Sequence, residues 1–207
     1  MIHILFDVDG VLIKNFHVDP QKAYLWWLDP AHKLLDADLM NQHFFKPRWP
    51  AIMTGRKDVL PELAAALSEM KAPISAEDYL AHWLKADSKV NHELFTALRQ
   101  LPRDKVKLSL ATNQEHKRAD HLWHALNFKA DFDERFYAAQ LGIMKPDVAF
   151  FKEVAQRLDI KADDTVLYFD DTKACTDAAA QLGWQCVNYS ELEHFSDHPL
   201  IRELIGT

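Results

Sequence analysis

Ile2 to Phe6 is a short apolar run that stops at Asp7-Val8-Asp9-Gly10. A run of that length ending in acidic residues and glycine predicts a buried strand feeding a loop. The layout recurs along the chain. Val106 to Ala111 is mostly apolar and ends at Thr112-Asn113, and Thr165 to Phe169 ends at Asp170-Asp171. Phe136 to Ala139 and Gln185 to Tyr189 are two weaker strand candidates. Helical spacing fills the gaps between them. Gln114 to Leu126 carries Ala119, Leu122, Trp123 and Leu126 on one face. Pro146, tolerated in a first turn, is predicted to open a helix bearing Phe150, Phe151, Val154 and Leu158. Ala174 to Leu182 is alanine-rich and stops at Gly183. Strands alternating with helices predict an α/β fold, a parallel sheet with helices on both faces.

The stretch from 15 to 100 breaks this rhythm. It has helical periodicity, as in Leu60, Leu63, Ala64 and Leu67, and no convincing strand. It reads as a small α-helical domain inserted after the first strand, leaving 1–14 and 101–207 as the domain that holds the sheet. Ligands of open parallel sheets bind at the carboxyl ends of the strands. Three of the expected strands end in Asp7, in Thr112-Asn113 and in Asp170-Asp171, so these polar residues should converge on one crevice.

Composition narrows the function classes. A chain of 207 residues with 48% hydrophobic and 27% charged residues has enough apolar surface to fold. A formal net charge of -7 argues against nucleic acid as a partner, but says nothing against a small anion held in a local field. Cys175 and Cys186 form no metal-ligand spacing and read as reduced, which points to a cytoplasmic protein. The first apolar run is too short for a signal peptide, and no segment approaches a membrane span.

Two carboxylates one residue apart at the end of a buried strand are costly unless a cation shares them. Mg2+ suits Asp7 and Asp9, because it prefers oxygen ligands. An ionised Asp7 can attack phosphorus, and Asp9 can protonate the leaving oxygen and later activate water. A calcium loop is the competing reading, but Val11-Leu12-Ile13 stands where further ligands would be needed. Asp170 and Asp171 repel one another unless a cation sits between them; the alternative is a helix cap completed by Thr172. Lys145 lies before an expected helix start, where the dipole favours anions, and makes sense if it faces a carboxylate or a phosphate. On its own it would read as a surface lysine. Thr112 and Asn113 can hold phosphate oxygens, or simply cap the following helix.

These four segments, in this order, resemble the four motifs of the haloacid dehalogenase superfamily. The resemblance covers roughly the first 14 residues and the segment from 104 to 190. It implies a Rossmann-like sheet domain with an early helical cap. It also implies Asp7 as nucleophile, Asp9 as acid/base and Thr112 as phosphate binder. Lys145 would neutralise charge between phosphate and nucleophile, and Asp170 and Asp171 would bind the metal. The metal would be held by the Asp7 carboxylate, the backbone carbonyl of Asp9 and Asp171, with Asp170 acting directly or through water. Thr54-Gly55-Arg56 with Leu60 and Leu63 is similar to a cap segment of sugar-phosphate phosphatases, including glucose-1-phosphate phosphatases and the N-terminal phosphatase part of epoxide hydrolases. One departure stands out. Related sequences often carry Asn or Asp where this chain has Cys175, followed by Thr176 and Asp177.

The expected activity is therefore Mg2+-dependent hydrolysis of a small phosphorylated metabolite, a sugar phosphate for preference, through an aspartyl-phosphate on Asp7. Three rivals share the motifs. A dehalogenase would use Asp7 without metal and leave Asp9 idle. A hexose phosphate phosphomutase would retain a bisphosphate. A binding protein on a decayed scaffold would not need every motif residue intact. His43, Arg48, Arg56, Lys57, Trp26, Trp27, Trp49 and Trp83 lie in the insertion and could face the cleft, although aromatic residues there more often form the interior of a cap. The scattered histidines form no zinc pattern. Monomer and homodimer are both compatible with the sequence.

Overall fold

A computed structural model of the chain describes residues 1–14 and 37–206. Trp26 and Trp27 lie outside the described residues. Five parallel strands form one sheet: β1 (Ile2–Phe6), β2 (Val106–Thr112), β3 (Glu134–Tyr137), β4 (Thr165–Asp170) and β5 (Gln185–Asn188), in the order β3-β2-β1-β4-β5. The α/β expectation holds. Side chains alternate across each strand, as a period of two requires. Ile4 and Phe6 face one side with Leu108, Leu110, Leu167 and Phe169. Leu5, Ala111, Val166 and Tyr168 face the other.

Between β1 and β2 the described helices are α1 (Ala37–Met40), a π-helical turn over Asn41–Phe45, α2 (Lys46–Met53), α3 (Val59–Glu69), α4 (Ala76–Ala86) and α5 (His92–Leu98). Side chains cap several of them. Asp58 accepts the Leu60 N–H at 3.0 Å to start α3, and Ser75 accepts the Asp78 N–H at 3.0 Å to start α4. Phe44, Ile52, Leu63, Leu67, Tyr79 and Trp83 form an apolar cluster of their own, separate from those on the sheet. Helix α5 does not join it. Leu94, Phe95 and Leu98 pack with Ile4, Phe6 and Leu108 under the sheet. The stretch expected as one insertion thus divides at the segment after Ala86, because the α5 apolar stripe is buried by the sheet and not by α2–α4.

That segment lies against the outgoing chain. Lys14 N–H donates to Lys89 O at 2.8 Å, Ile13 and Val90 form an antiparallel bridge, and Asn91 N–H donates to Leu12 O at 2.8 Å. The Asn91 side-chain amide adds a bond to Val11 O at 3.0 Å.

After β2 come α6 (His116–Asp120) and a π-helical turn over His121–Ala125. These fall within the expected helix of 114–126. Then come α7 (Ala138–Leu141), α8 (Val148–Arg157), α9 (Lys173–Ala180), α10 (Glu193–Ser196) and α11 (Pro199–Ile205). Pro146 does not open α8. Asp147 is its N-cap, accepting the Ala149 N–H at 2.8 Å, so the helix starts at Val148. Phe150, Phe151 and Val154 of α8 and Cys175, Ala178 and Ala179 of α9 cover one face of the sheet. Phe195 and Ile201, together with α5, cover the other. Among the described residues no helix is long and apolar enough to cross a membrane.

Candidate active site

Register brings the strand ends together. Phe6 pairs with both Leu110 and Phe169, so the residues that follow leave the sheet along one edge. Asp7 N–H still reaches Phe169 O at 2.9 Å, which sets Asp7 beside Asp170. Asp7, Asp170 and Asp171 each offer a carboxylate oxygen within 4.8 Å of the others. Hard oxygen donors at this spacing suit Mg2+. Gly10 makes the cluster possible. Its φ is +79°, and a Cβ there would lie 2.1 Å from Asp171 Oδ2.

Lys145 is buried between two of these acids, 2.9 Å from Asp7 Oδ1 and 2.6 Å from Asp170 Oδ2. Burial opposes its charge, yet Asp7 and Asp170 together hold its pKa above the ordinary lysine value. Burial pushes the Asp7 carboxyl up to about 7; Lys145 opposes that rise, while Asp170 and Asp9 add to it. The oxygens of Asp170 are heavily engaged. Oδ2 meets Lys145 and the Tyr168 hydroxyl, and Oδ1 accepts the Thr172 N–H at 2.7 Å.

Thr112 is buried in the same cavity, which encloses about 340 Å3 and is also lined by Asp9, Asn113, Lys145 and Asp171. Asn113 is committed differently from the phosphate-holding role expected of it. Its Nδ2 donates to Lys145 O and its Oδ1 accepts Lys145 N–H, both at 2.9 Å. The amide fixes the backbone that carries the lysine.

Several site residues carry no signal in the sequence. Gln114 Nε2 donates to Asp9 Oδ2 at 2.7 Å, and Arg118 Nη2 donates to Asp9 Oδ1 at 2.8 Å. Arg118 also pairs with Asp87 Oδ2 at 2.9 Å. Burial pushes the Asp87 carboxyl up to about 7, against the pull of Arg118. Asn188, at the end of β5, donates to Asp170 O at 3.2 Å and Asp171 O at 2.8 Å. It braces the acidic loop where Cys175 departs from the usual pattern. Asp177 takes no part, since it pairs with Lys173 at the surface. The insertion contributes Trp49, Met53 and Trp83 to the cavity wall. The rings of Trp49 and Trp83 lie 5.3 Å apart. Four of its residues expected as candidates for the cleft meet neighbours within the insertion: Arg48 pairs with Glu62 and Glu69, Lys57 with Glu62 and His43 with Glu69, and Arg56 donates to Thr54 Oγ1 at 3.0 Å.

Residues 2–183 match the family model described as a haloacid dehalogenase-like hydrolase. No curated protein sequence matches the chain at a significant level. Solved structures share the fold. A haloacid dehalogenase family enzyme from Bacteroides thetaiotaomicron, in complex with magnesium and inorganic phosphate, aligns over 90% of this chain and 92% of its own. It is 17% identical, with a TM-score of 0.69. A hydrolase of the same type from Porphyromonas gingivalis is 19% identical over 90% of this chain and 89% of its own, with a TM-score of 0.68. A 2-haloacid dehalogenase from Pseudomonas syringae is 20% identical over 91% of this chain and 86% of its own, with a TM-score of 0.62.

Proposed function

The chain belongs to the haloacid dehalogenase-like hydrolases, and on that footing we propose that it is a magnesium-dependent phosphatase acting on a small phosphate monoester. The observation that carries the proposal is the grouping of Asp7, Asp170 and Asp171 beside Lys145, with Asp9 in the same cavity. Structures of this fold include a dehalogenase, so fold alone does not choose the reaction. Asp9 does favour one. A halide departs without a proton, whereas an alkoxide needs one.

Asp7, Asp171, the backbone carbonyl of Asp9 and, directly or through water, Asp170 would hold Mg2+. The ion, when bound, supplies positive charge that offsets the anionic oxygens of the phosphate. Asp7 attacks phosphorus in line. The bond from its carboxylate oxygen to phosphorus forms as the ester P–O bond breaks, and Asp9 gives its proton to the leaving alcohol. Asp9 then takes a proton from a water whose oxygen bonds to phosphorus, and Asp7 is released. The net change is monoester plus water to alcohol plus phosphate. Lys145 and Thr112 stabilise phosphate oxygens, and Asn113 keeps Lys145 in place. Catalysis of this kind is mainly positioning and charge neutralisation.

The cavity suits a sugar phosphate. Trp49, Met53 and Trp83 make part of its wall apolar, where ring C–H groups can lie, and Asp9, Thr112 and Lys145 make the rest polar. A phosphomutase must also hold the second phosphate of a bisphosphate. The cationic side chains that the described residues bring to this cavity are Lys145 and Arg118, and each already lies between two carboxylates. That supports hydrolysis over phosphoryl return. Helices α2–α4 act in this reading as the cap that excludes bulk water.

The test is phosphate release from p-nitrophenyl phosphate and a panel of sugar phosphates, with Mg2+ and with EDTA. Turnover should depend on the metal and vanish in Asp7→Asn. Unchanged turnover in that variant removes Asp7 from the nucleophile's role.

A further inference from the structure

Asp9 has to present a proton to one oxygen and later receive one from water, so the direction of its carboxyl group matters as much as its presence. Both of its oxygens are gripped. Arg118 Nη2 holds Oδ1 at 2.8 Å and Gln114 Nε2 holds Oδ2 at 2.7 Å. The two grips are joined, because Arg118 Nη1 donates to Gln114 Oε1 at 3.1 Å. Asp9, Gln114 and Arg118 thus close a ring of hydrogen bonds. The planar guanidinium suits such a ring in a way that an ammonium does not.

Arg118 is also tied to a second acidic residue. The same Nη2 lies 2.9 Å from Asp87 Oδ2 and donates to Asp87 O at 3.0 Å. Asp87 is the C-cap of α4, the last residue of the cap helices before the chain returns to the sheet. Arg118 is only 5% exposed. A buried guanidinium shared by two carboxylates, one from the catalytic loop and one from the cap's exit, joins two parts of the molecule at one point.

We infer that Arg118 is the positioning residue for Asp9, and that Asp87 fastens it to the cap. This rests on the phosphatase reading, in which Asp9 protonates the leaving oxygen. Asp87, at the end of α4, orients the guanidinium; the guanidinium and Gln114 orient the Asp9 carboxyl; and the carboxyl meets the leaving group. Loss of the link degrades proton delivery before it degrades phosphate binding.

The test uses the full chain and two substrates of similar size. p-Nitrophenyl phosphate releases a stable phenolate, and benzyl phosphate releases an alkoxide that needs a proton. General acid catalysis contributes about 10²–10⁴-fold. Hydrolysis of the aspartyl-phosphate is common to both substrates, so the comparison is made on kcat/KM, which reports departure of the leaving group alone. Arg118→Lys, which keeps the charge but breaks the planar ring, should cut kcat/KM on benzyl phosphate by about 30-fold or more, and on p-nitrophenyl phosphate by less than about fivefold. Asp87→Asn, milder and closer in shape to the wild type, should shift the ratio of the two rates in the same direction by a smaller factor. Damage to folding lowers both substrates together and leaves the ratio alone. A uniform fall, or no fall, in both variants overturns the inference. Absence of Mg2+-dependent turnover in the wild type is a separate result, which overturns the phosphatase reading and this inference with it.

Discussion

Asp7→Asn should leave the metal-free protein more stable than the wild type while abolishing turnover. The substitution preserves shape. An asparagine oxygen can still accept the Val8 N–H, bound in the wild type at 2.7 Å. What changes is charge. Burial pushes the Asp7 carboxyl from 3.8 up to about 7. Its folded pKa lies above its unfolded value, so its contribution to stability is fully present below about pH 4, where both states are neutral. It is lost as pH rises through 7. At 1.36 kcal/mol per unit the loss is at most about 4 kcal/mol. Asparagine suffers no such loss. The two proteins should therefore be close at pH 4, and the variant should lead by a few kcal/mol at pH 8. At roughly 2–4 °C per kcal/mol for a chain of this length, the gap in Tm is on the order of 10 °C. The assay is thermal unfolding in EDTA across that pH range, repeated with Mg2+. The ion should narrow the gap, since it stabilises the protein that binds it more tightly and the variant lacks one ligand. A variant that melts below the wild type in EDTA at pH 8 refutes the electrostatic account of the site.

Other outcomes follow from the same geometry. Asn188→Ala removes the donor to Asp170 O and Asp171 O and should weaken Mg2+ affinity by about 10–100-fold in calorimetric titration; unaltered affinity would mean the loop stands without that brace. Mg2+ binding requires ionised Asp7, whose carboxyl sits at about 7 without the ion, so apparent affinity should drop about tenfold from pH 8 to pH 6. A titration that is flat over this interval contradicts the assigned ligand. Gly55 has φ +67°, and a Cβ there would lie 2.2 Å from Ala139 O of α7. Gly55→Ala should push the cap off the sheet domain and lower kcat/KM by about tenfold on any accepted monoester; wild-type kinetics would show that this close approach is not needed for closure.

Carboxylates at the end of a buried apolar run are rare enough to announce themselves, which is why Asp7, Asp9, Asp170 and Asp171 stand out in the sequence. Lys145 and Thr112 gain meaning only beside them. Arg118 is invisible for a physical reason. It follows His116-Lys117 in a run that reads as a solvated helix face, and its partner Asp9 is 109 positions away. Only the folded chain buries it. Asn188 closes a weak strand and looks like an ordinary turn residue until parallel pairing with β4 brings it to the acidic loop. Asn113 sits where a phosphate ligand is expected, but a strand-end amide can equally serve a neighbouring loop, and here both ends of it meet Lys145. The helix α5 has an apolar stripe that suits either cluster. Its spacing could not reveal that the sheet, and not the cap, would cover it.

Ile13 and Lys14, where the first described segment ends, lie alongside Lys89 and Val90, so the two ends of the insertion meet. Among the described residues the stretch between those ends contributes no strand to the sheet. Exchanging it for a different appendage, or shortening it to a tight hairpin, would leave all four strand pairings of the sheet untouched. Closing so short a gap adds little entropic cost. The insertion can therefore be refitted wholesale while Asp7, Asp170 and Asp171 stay where the strands put them.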